Sequence, residues 1–395
     1  MTHHPVDTER SFAAPAGSRW RSEPFRLFFP LGVLLGWVGV GHWLLYATGA
    51  TQSYSCLRHG LVQMQAFMMA FAAGFLLTAL PRRTSSAPPS ALEMTIVAVS
   101  LVTTTAALVQ DRWIVAQASY LVLFLLLLAF AARRFLLGGA RRRPPAAFVL
   151  VPLGVAQGIA GAILLMAHHS GAAGAWGARL GQLLIEQGVF LCLVMGIGSL
   201  ILPLMAGAAP PADLGSSPRE TAKALAYLSA GLLVVASLIA EAAGAERLGP
   251  LVRAVVVALT LGLGAGAWGP IGRPGLHRKL VRLAVWLMPA GLLLSAAFPD
   301  YRVPALHVLF IGGFGLMAFA VATHVVLAHL DATAESLGWP PAVGALALGI
   351  LLAMAARVAA DASETYFVHL GWAAGAWITG TLVWLGYVVP KILRG

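Results

Sequence analysis

Histidine is the residue type in this chain best suited to chemistry: there are 11 among 395 residues, against only 15 acidic ones. A neutral imidazole nitrogen binds metal ions, and the ring exchanges protons near neutral pH. Nine of the histidines lie beyond the first 25 residues, most of them at or inside the ends of long apolar segments. Ionisable groups are costly at that depth, so each is a candidate for function. The pattern points to a bound metal or a proton path held within a membrane.

The elements that must position these rings follow from composition. The chain is 59% hydrophobic and 10% charged, where soluble domains carry about 25% charged residues. A membrane-crossing helix needs about 20 apolar residues. Windows of that size predict spans at 26–48, 59–80, 91–109, 113–137, 146–167, 179–205, 222–242, 249–269, 279–298, 303–330, 340–360 and 366–390. The breaks are rich in Pro, Gly and Arg, as at Pro81–Ser90 and in the run after Ala206. With the N-terminus inside, 19 of the 26 Lys and Arg residues fall on the cytoplasmic side and seven outside, as the positive-inside rule requires. The fold class is therefore all-α: a polytopic integral membrane protein with a bundle of about twelve transmembrane helices and both termini cytoplasmic. Residues 1–25, with His3 and His4, read as a flexible polar tail, and 26–392 as a single twelve-helix domain. The net charge of +11 sits in short loops, so the expected partner is the lipid bilayer and no nucleic acid. Cys56 and Cys192 are too few for a disulfide framework. Phosphate-binding loops, zinc-type cysteine pairs and nucleophile elbows are absent from the sequence.

Topology sorts the histidines by depth. His42, His59, His168, His169, His307 and His369 fall toward the outer face; His277, His324 and His329 fall toward the cytoplasm. His307 and His324 share one helix but stand about 25 Å apart at 1.5 Å per residue, so they cannot bind one ion. An imidazole at a helix end also serves as a hydrogen-bonded interfacial residue. His168 and His169 suit that description best, and His277, beside Arg278 and Lys279, reads as a surface residue. His59 and His307 suit it least. Gln63 and Gln65 follow His59 in the second span. Glu186, flanked by Gln182 and Gln187, lies about two turns into the sixth. It is a candidate proton relay or a hydrogen-bond partner for a ligand histidine, with Gln63 beside it; the alternative is a structural partner for Arg179 or Arg357. Glu93 reads as a helix N-terminal charge. Gly312, Gly313 and Gly315 in the tenth span allow either a flat ring system or plain helix packing.

Several strings resemble one family. The first span opens PFRLFFPLGVL at 24–34, the second starts at His59 and ends GFLLTALP at 74–81, and the tenth begins LHVLFIGGFGLM at 306–317 and closes on Leu327, Ala328 and His329. Together these resemble the NnrS family of twelve-helix bacterial membrane proteins. The resemblance implies a heme- and copper-containing protein of the bacterial inner (cytoplasmic) membrane, linked to nitric oxide metabolism or protection from nitrosative stress and to denitrification. The chain departs from the family pattern in three places. A Trp-His-x-His-Glu start is replaced by Arg58-His59-Gly60-Leu61-Val62, which loses the second His. The sixth span has Gly198-Ser199-Leu200-Ile201-Leu202-Pro203 without the usual Arg. His324 stands where an Arg is usual.

The expected cofactor ligands are His59 and His307 near the outer face, with His329 and His324 serving a second, inner site, and His42 and His369 as further ligands for the outer metal. Copper is the cofactor that the loss at Leu61 most affects, and nitric oxide or a related small molecule is the expected ligand. Two other functions compete: a proton-coupled secondary transporter of a small solute, which an inverted repeat would favour and none is evident, and a metal-free membrane scaffold.

Overall fold

The computed structural model describes residues 16–137, 143–330 and 332–394. His3, His4 and most of the polar N-terminal segment lie outside the described residues. The chain begins with α1 (Ala16–Ser22), followed by α2 (Phe25–Ala47), α3 (Cys56–Thr84), α4 (Ala91–Val109), α5 (Trp113–Phe135), α6 (Ala146–His169), α7 (Ala175–Met205), α8 (Pro218–Ala242), α9 (Leu248–Gly264), α10 (Leu276–Ala297) and α11 (Pro299–His329). The short α12 (Thr333–Leu337) leads to α13 (Pro341–Ala360) and α14 (Tyr366–Arg394). Among the described residues, eleven helices are long and apolar enough to cross a membrane. The protein is an all-α polytopic membrane protein.

The eighth expected span is the exception. Helix α9 ends at Gly264, before the expected limit of 269. At 1.5 Å per residue its 17 residues reach about 25 Å, short of a hydrocarbon core of about 30 Å. Gly262, Gly264 and Gly266 weaken the helix, and Gly266 takes a positive φ of 69° that ends it. Elsewhere the caps explain the starts. Ser90 accepts the Glu93 N–H, and the Glu93 carboxylate accepts the Ser90 N–H at 2.7 Å, a capping box. Glu93 also pairs with Arg133. In α8, Ser217 caps and Pro218 takes the first turn.

The ion pairs join residues at the same end of the bundle. Arg58 meets Asp111, and Arg179 meets Glu246, at the end that the charge count predicts to be outer. Arg83 meets Asp213, and Lys391 meets Glu335, at the end predicted to be inner. The last helix packs back against the first span, α14 on α2. Gly349 and Gly380 let α13 and α14 touch: a Cβ on Gly349 would lie 2.8 Å from the Ala376 carbonyl oxygen and the Gly380 Cα.

The three most buried spans are α3, α7 and α11, and they form the centre. Each carries a widened π-helical stretch: Gln63–Met68, Leu184–Gly188 and Val308–Gly315. A π turn inserts an extra residue into the helix and recurs at functional sites. The glycines of α11 resolve in favour of packing. The space over Gly312 is taken by Met354 and Leu287, over Gly313 by Met288 and over Gly315 by Trp377.

Candidate functional site

The three π-helical stretches converge on one cavity of about 250 Å³ toward the outer face. Helix α3 contributes His59, Gln63, Met64, Phe67 and Met68; α7 contributes Gln182 and Glu186; α11 contributes Arg302, His307, Phe310 and Ile311. Helices α2, α13 and α14 close the remaining walls with Trp43, Arg357 and Trp377 among others. Phe67, Phe71, Phe319 and Trp377 pack edge to face below it, with ring centroids 5.1–5.9 Å apart. This aromatic floor divides the outer histidines from the inner ones.

Two imidazoles face each other across the cavity. His59 Nδ1 lies 2.8 Å from the Gly39 carbonyl oxygen, and His307 Nδ1 lies 2.8 Å from that of Val303. A carbonyl only accepts, so each Nδ1 carries the proton and each Nε2 presents a lone pair. The ring centroids are 6.3 Å apart with planes 11° from parallel. A metal–imidazole bond is about 2.0–2.1 Å, so rings at this separation are within reach of one shared group. Nearby, the Gln63 amide donates to the Gly36 carbonyl at 2.9 Å and braces α3 against α2.

Glu186 enters from α7. Its Oε1 accepts the Gln182 amide at 2.9 Å, and a Cβ on Gly60 would overlap that same oxygen. Neither structural partner expected for it is used. Arg179 pairs with Glu246 and Arg357 with Asp361.

His42 lies beside this site. Its ring is 6.0 Å from that of His59 and 4.5 Å from Trp43, and its buried Nε2 has no hydrogen-bond partner among the described residues. His369 is elsewhere: it packs on Trp372 and turns Nδ1 to the Thr365 carbonyl at 3.2 Å. His168 bonds the Ala173 carbonyl, and His169 stacks on Trp113, as interfacial rings.

The inner histidines do not gather. His329 bonds the Val325 carbonyl through Nδ1 at 2.7 Å and packs on Phe25. His324, five residues earlier and so about 140° around the helix, instead approaches His277, with Nδ1 to Nε2 at 3.2 Å. His277 is 1% exposed, so the surface reading is corrected: the start of α10 turns it inward while Lys279 faces out. Among the described residues no group of three or more His, Cys, Asp or Glu could hold a metal ion.

Sequence reasoning offers Arg357 only as a partner for Glu186 and does not single out Arg302, yet both arginines line the cavity. Arg302 donates to Glu241 through Nε at 2.8 Å, and Glu241 also pairs with the fully buried Arg253. Arg357 lies 5.7 Å over the Tyr366 ring. Arg302 is five residues before His307 and Arg357 is four before Asp361, spacings that place each at its helix end. Cys56 lines the cavity as well, whereas Leu61 is buried and outside its wall. No curated protein matches the chain. A family model described as NnrS protein matches residues 19–395, nearly the whole chain, and the chain belongs to the NnrS family.

Proposed function

We propose that this is a heme protein of the bacterial cytoplasmic membrane that handles nitric oxide, with the heme in the outer cavity between His59 and His307. The observation that carries the reading is the facing pair of imidazoles, each fixed through Nδ1–H on a backbone carbonyl with Nε2 left as a donor. The residues suit the group in two further respects. The donors come from facing helices, the manner in which axial ligands hold heme. Phe67, Phe310 and Trp377 supply apolar ring faces, and the space over Gly60 holds the Glu186 carboxyl in the same wall. Held by both histidines, heme would supply an iron centre able to pass an electron, and a diatomic ligand would reach it only by displacing one of the two imidazoles.

The chain's own residues have defined tasks in this reading. The Gly39 and Val303 carbonyls select the tautomer of the two histidines and raise their basicity. The aromatic floor keeps water from the inner half of the bundle. Glu186, with Gln182 on one oxygen, stands in the same wall as the only carboxyl among the lining residues, where it can hold a proton for a bound ligand. Copper would have to draw on the sulfur donors of this wall, Cys56, Met64 and Met68, which suit a cuprous ion. The histidine the family carries two positions after His59 is Leu61 here.

The test is an absorption spectrum of the purified protein. Membranes from heme-replete cells should yield a Soret band that shifts on addition of nitric oxide. His59→Ala and His307→Ala should each weaken it strongly, while His369→Ala leaves it intact. A folded, monodisperse preparation without heme would overturn the reading.

A further inference from the structure

The outer wall of the cavity carries two arginines, Arg302 and Arg357, against one carboxyl, Glu186. Glu241 is fully buried and pairs with two arginines, Arg253 and Arg302, so that triad keeps a surplus of one cation. Arg302 commits Nε and one terminal nitrogen to Glu241 and has a second terminal nitrogen remaining. Arg357 commits one terminal nitrogen to Asp361 and keeps Nε and the other. Both arginines line the cavity. Glu186 shares the wall, but among the described residues it forms an ion pair with neither; Gln182 holds it instead. A partly buried cluster with more arginines than acids favours an anion, and a guanidinium fork matches the oxygens of a carboxylate or a phosphate two at a time.

The lining is also polarised along the membrane normal. Arg302 and Arg357 stand at the outer ends of α11 and α13, while Phe67, Phe310 and Trp377 lie deeper. Such a cavity takes an amphipathic ring compound, apolar edge inward and acid groups outward.

We infer that Arg302 and Arg357 form a carboxylate clamp at the outer mouth, which binds the acid groups of a planar amphipathic ligand and fixes the direction in which it enters. The clamp rests on the heme reading, in which those acids are the two propionates of the macrocycle. It makes the two arginines positioning residues that set ligand orientation and retention, with no part in the bonds to iron.

The experiment compares hemin with its dimethyl ester, which has the same ring and iron and no carboxylates. The heme-depleted full-length protein is titrated with each, followed by the Soret band, and the loss of ligand to an excess heme scavenger is timed. Hemin is expected to bind at least about tenfold tighter than the ester, the scale of one charge-assisted pair. Arg357→Gln should weaken hemin about tenfold, speed its loss and leave the ester unchanged, with Arg357→Lys in between. The position of the Soret band should stay fixed, because the axial donors are untouched. Arg302→Gln also disturbs the Glu241 triad, so Arg357 is the deciding position. Equal affinity for hemin and ester in a protein with a normal Soret band overturns the clamp and leaves the heme reading standing. No Soret band with either compound overturns both.

Discussion

Oε1 of Glu186 occupies the space that a side chain on Gly60 would need. The carboxyl of α7 thus lies over the backbone of α3, one residue from His59, and only a glycine permits it. The obstruction is the far end of a flexible side chain, so Gly60→Ala should be tolerated at a cost of about 1–2 kcal/mol. Removing the carboxyl should relieve the overlap. Gly60→Ala/Glu186→Ala is expected to melt higher than the sum of the single changes predicts, a positive coupling of about 1 kcal/mol. Thermal melting of the four proteins in detergent measures it, and strict additivity would contradict the contact.

The Arg253–Glu241–Arg302 triad makes an asymmetric prediction. Glu241→Ala strands two guanidinium groups, one of them fully buried, and should cost about 3–5 kcal/mol. Arg253→Met leaves Glu241 with Arg302 as a one-to-one pair and replaces a buried charge with an apolar chain of similar length. It should cost far less, about 1 kcal/mol or below. Melting temperatures that rank Arg253→Met below Glu241→Ala would show that Glu241 does not serve both arginines.

How far the sequence reveals this arrangement depends on the residue. The spans are readable because about 20 apolar residues in a row have one low-cost conformation in lipid. The early end of α9 is not, since Leu261 to Ala267 stays apolar while its glycines end the helix, and hydropathy records only the first property. His59 and His307 stand out because each opens a span. His277 is hidden by its neighbours: Arg278 and Lys279 suggest a wet surface, yet Arg278 is itself buried and donates to the Met205 and Ser336 carbonyls. The cavity arginines are misread for the opposite reason. Arg302 and Arg357 serve the charge count that orients the bundle, and nothing in their spacing tells a loop cation from a wall cation. The π-helical stretches leave no trace in composition, although they rotate Gln63, Glu186 and Phe310 into one wall.

At the inner face, Glu335 ties α12 to α14. It accepts Lys391 at 2.7 Å and also the Tyr387 hydroxyl. The hydrogen bond from Lys391, then that from Tyr387, holds its carboxyl below the ordinary value. A lowered folded pKa contributes stability above the unfolded value of about 4.3 that is lost as pH falls through the folded one. Wild type should therefore melt slightly above Glu335→Gln at pH 7, by on the order of 1 °C, because the pair is partly exposed. The gap should close below about pH 4 and shrink with added salt. A gap that widens in acid would contradict the assignment.

The His277–His324 pair separates a structural role from a ligand role at the inner face. One imidazole must donate to the other across 3.2 Å, and among the described residues His277 Nδ1 has no partner in either arrangement. His324→Leu leaves buried His277 with two unsatisfied nitrogens, at a cost of about 1–3 kcal/mol. His277→Leu in that background should then cost little, giving a coupling of about 1 kcal/mol in a double-mutant cycle followed by melting. Both changes lie below the aromatic floor of Phe67, Phe71, Phe319 and Trp377, away from the outer cavity. The heme content of His324→Leu should therefore match wild type while that of His59→Ala falls. A Soret band lost in His324→Leu but kept in His59→Ala would move the heme to the inner half of the bundle, with the His277–His324 pair in place of His59 and His307 as its ligands.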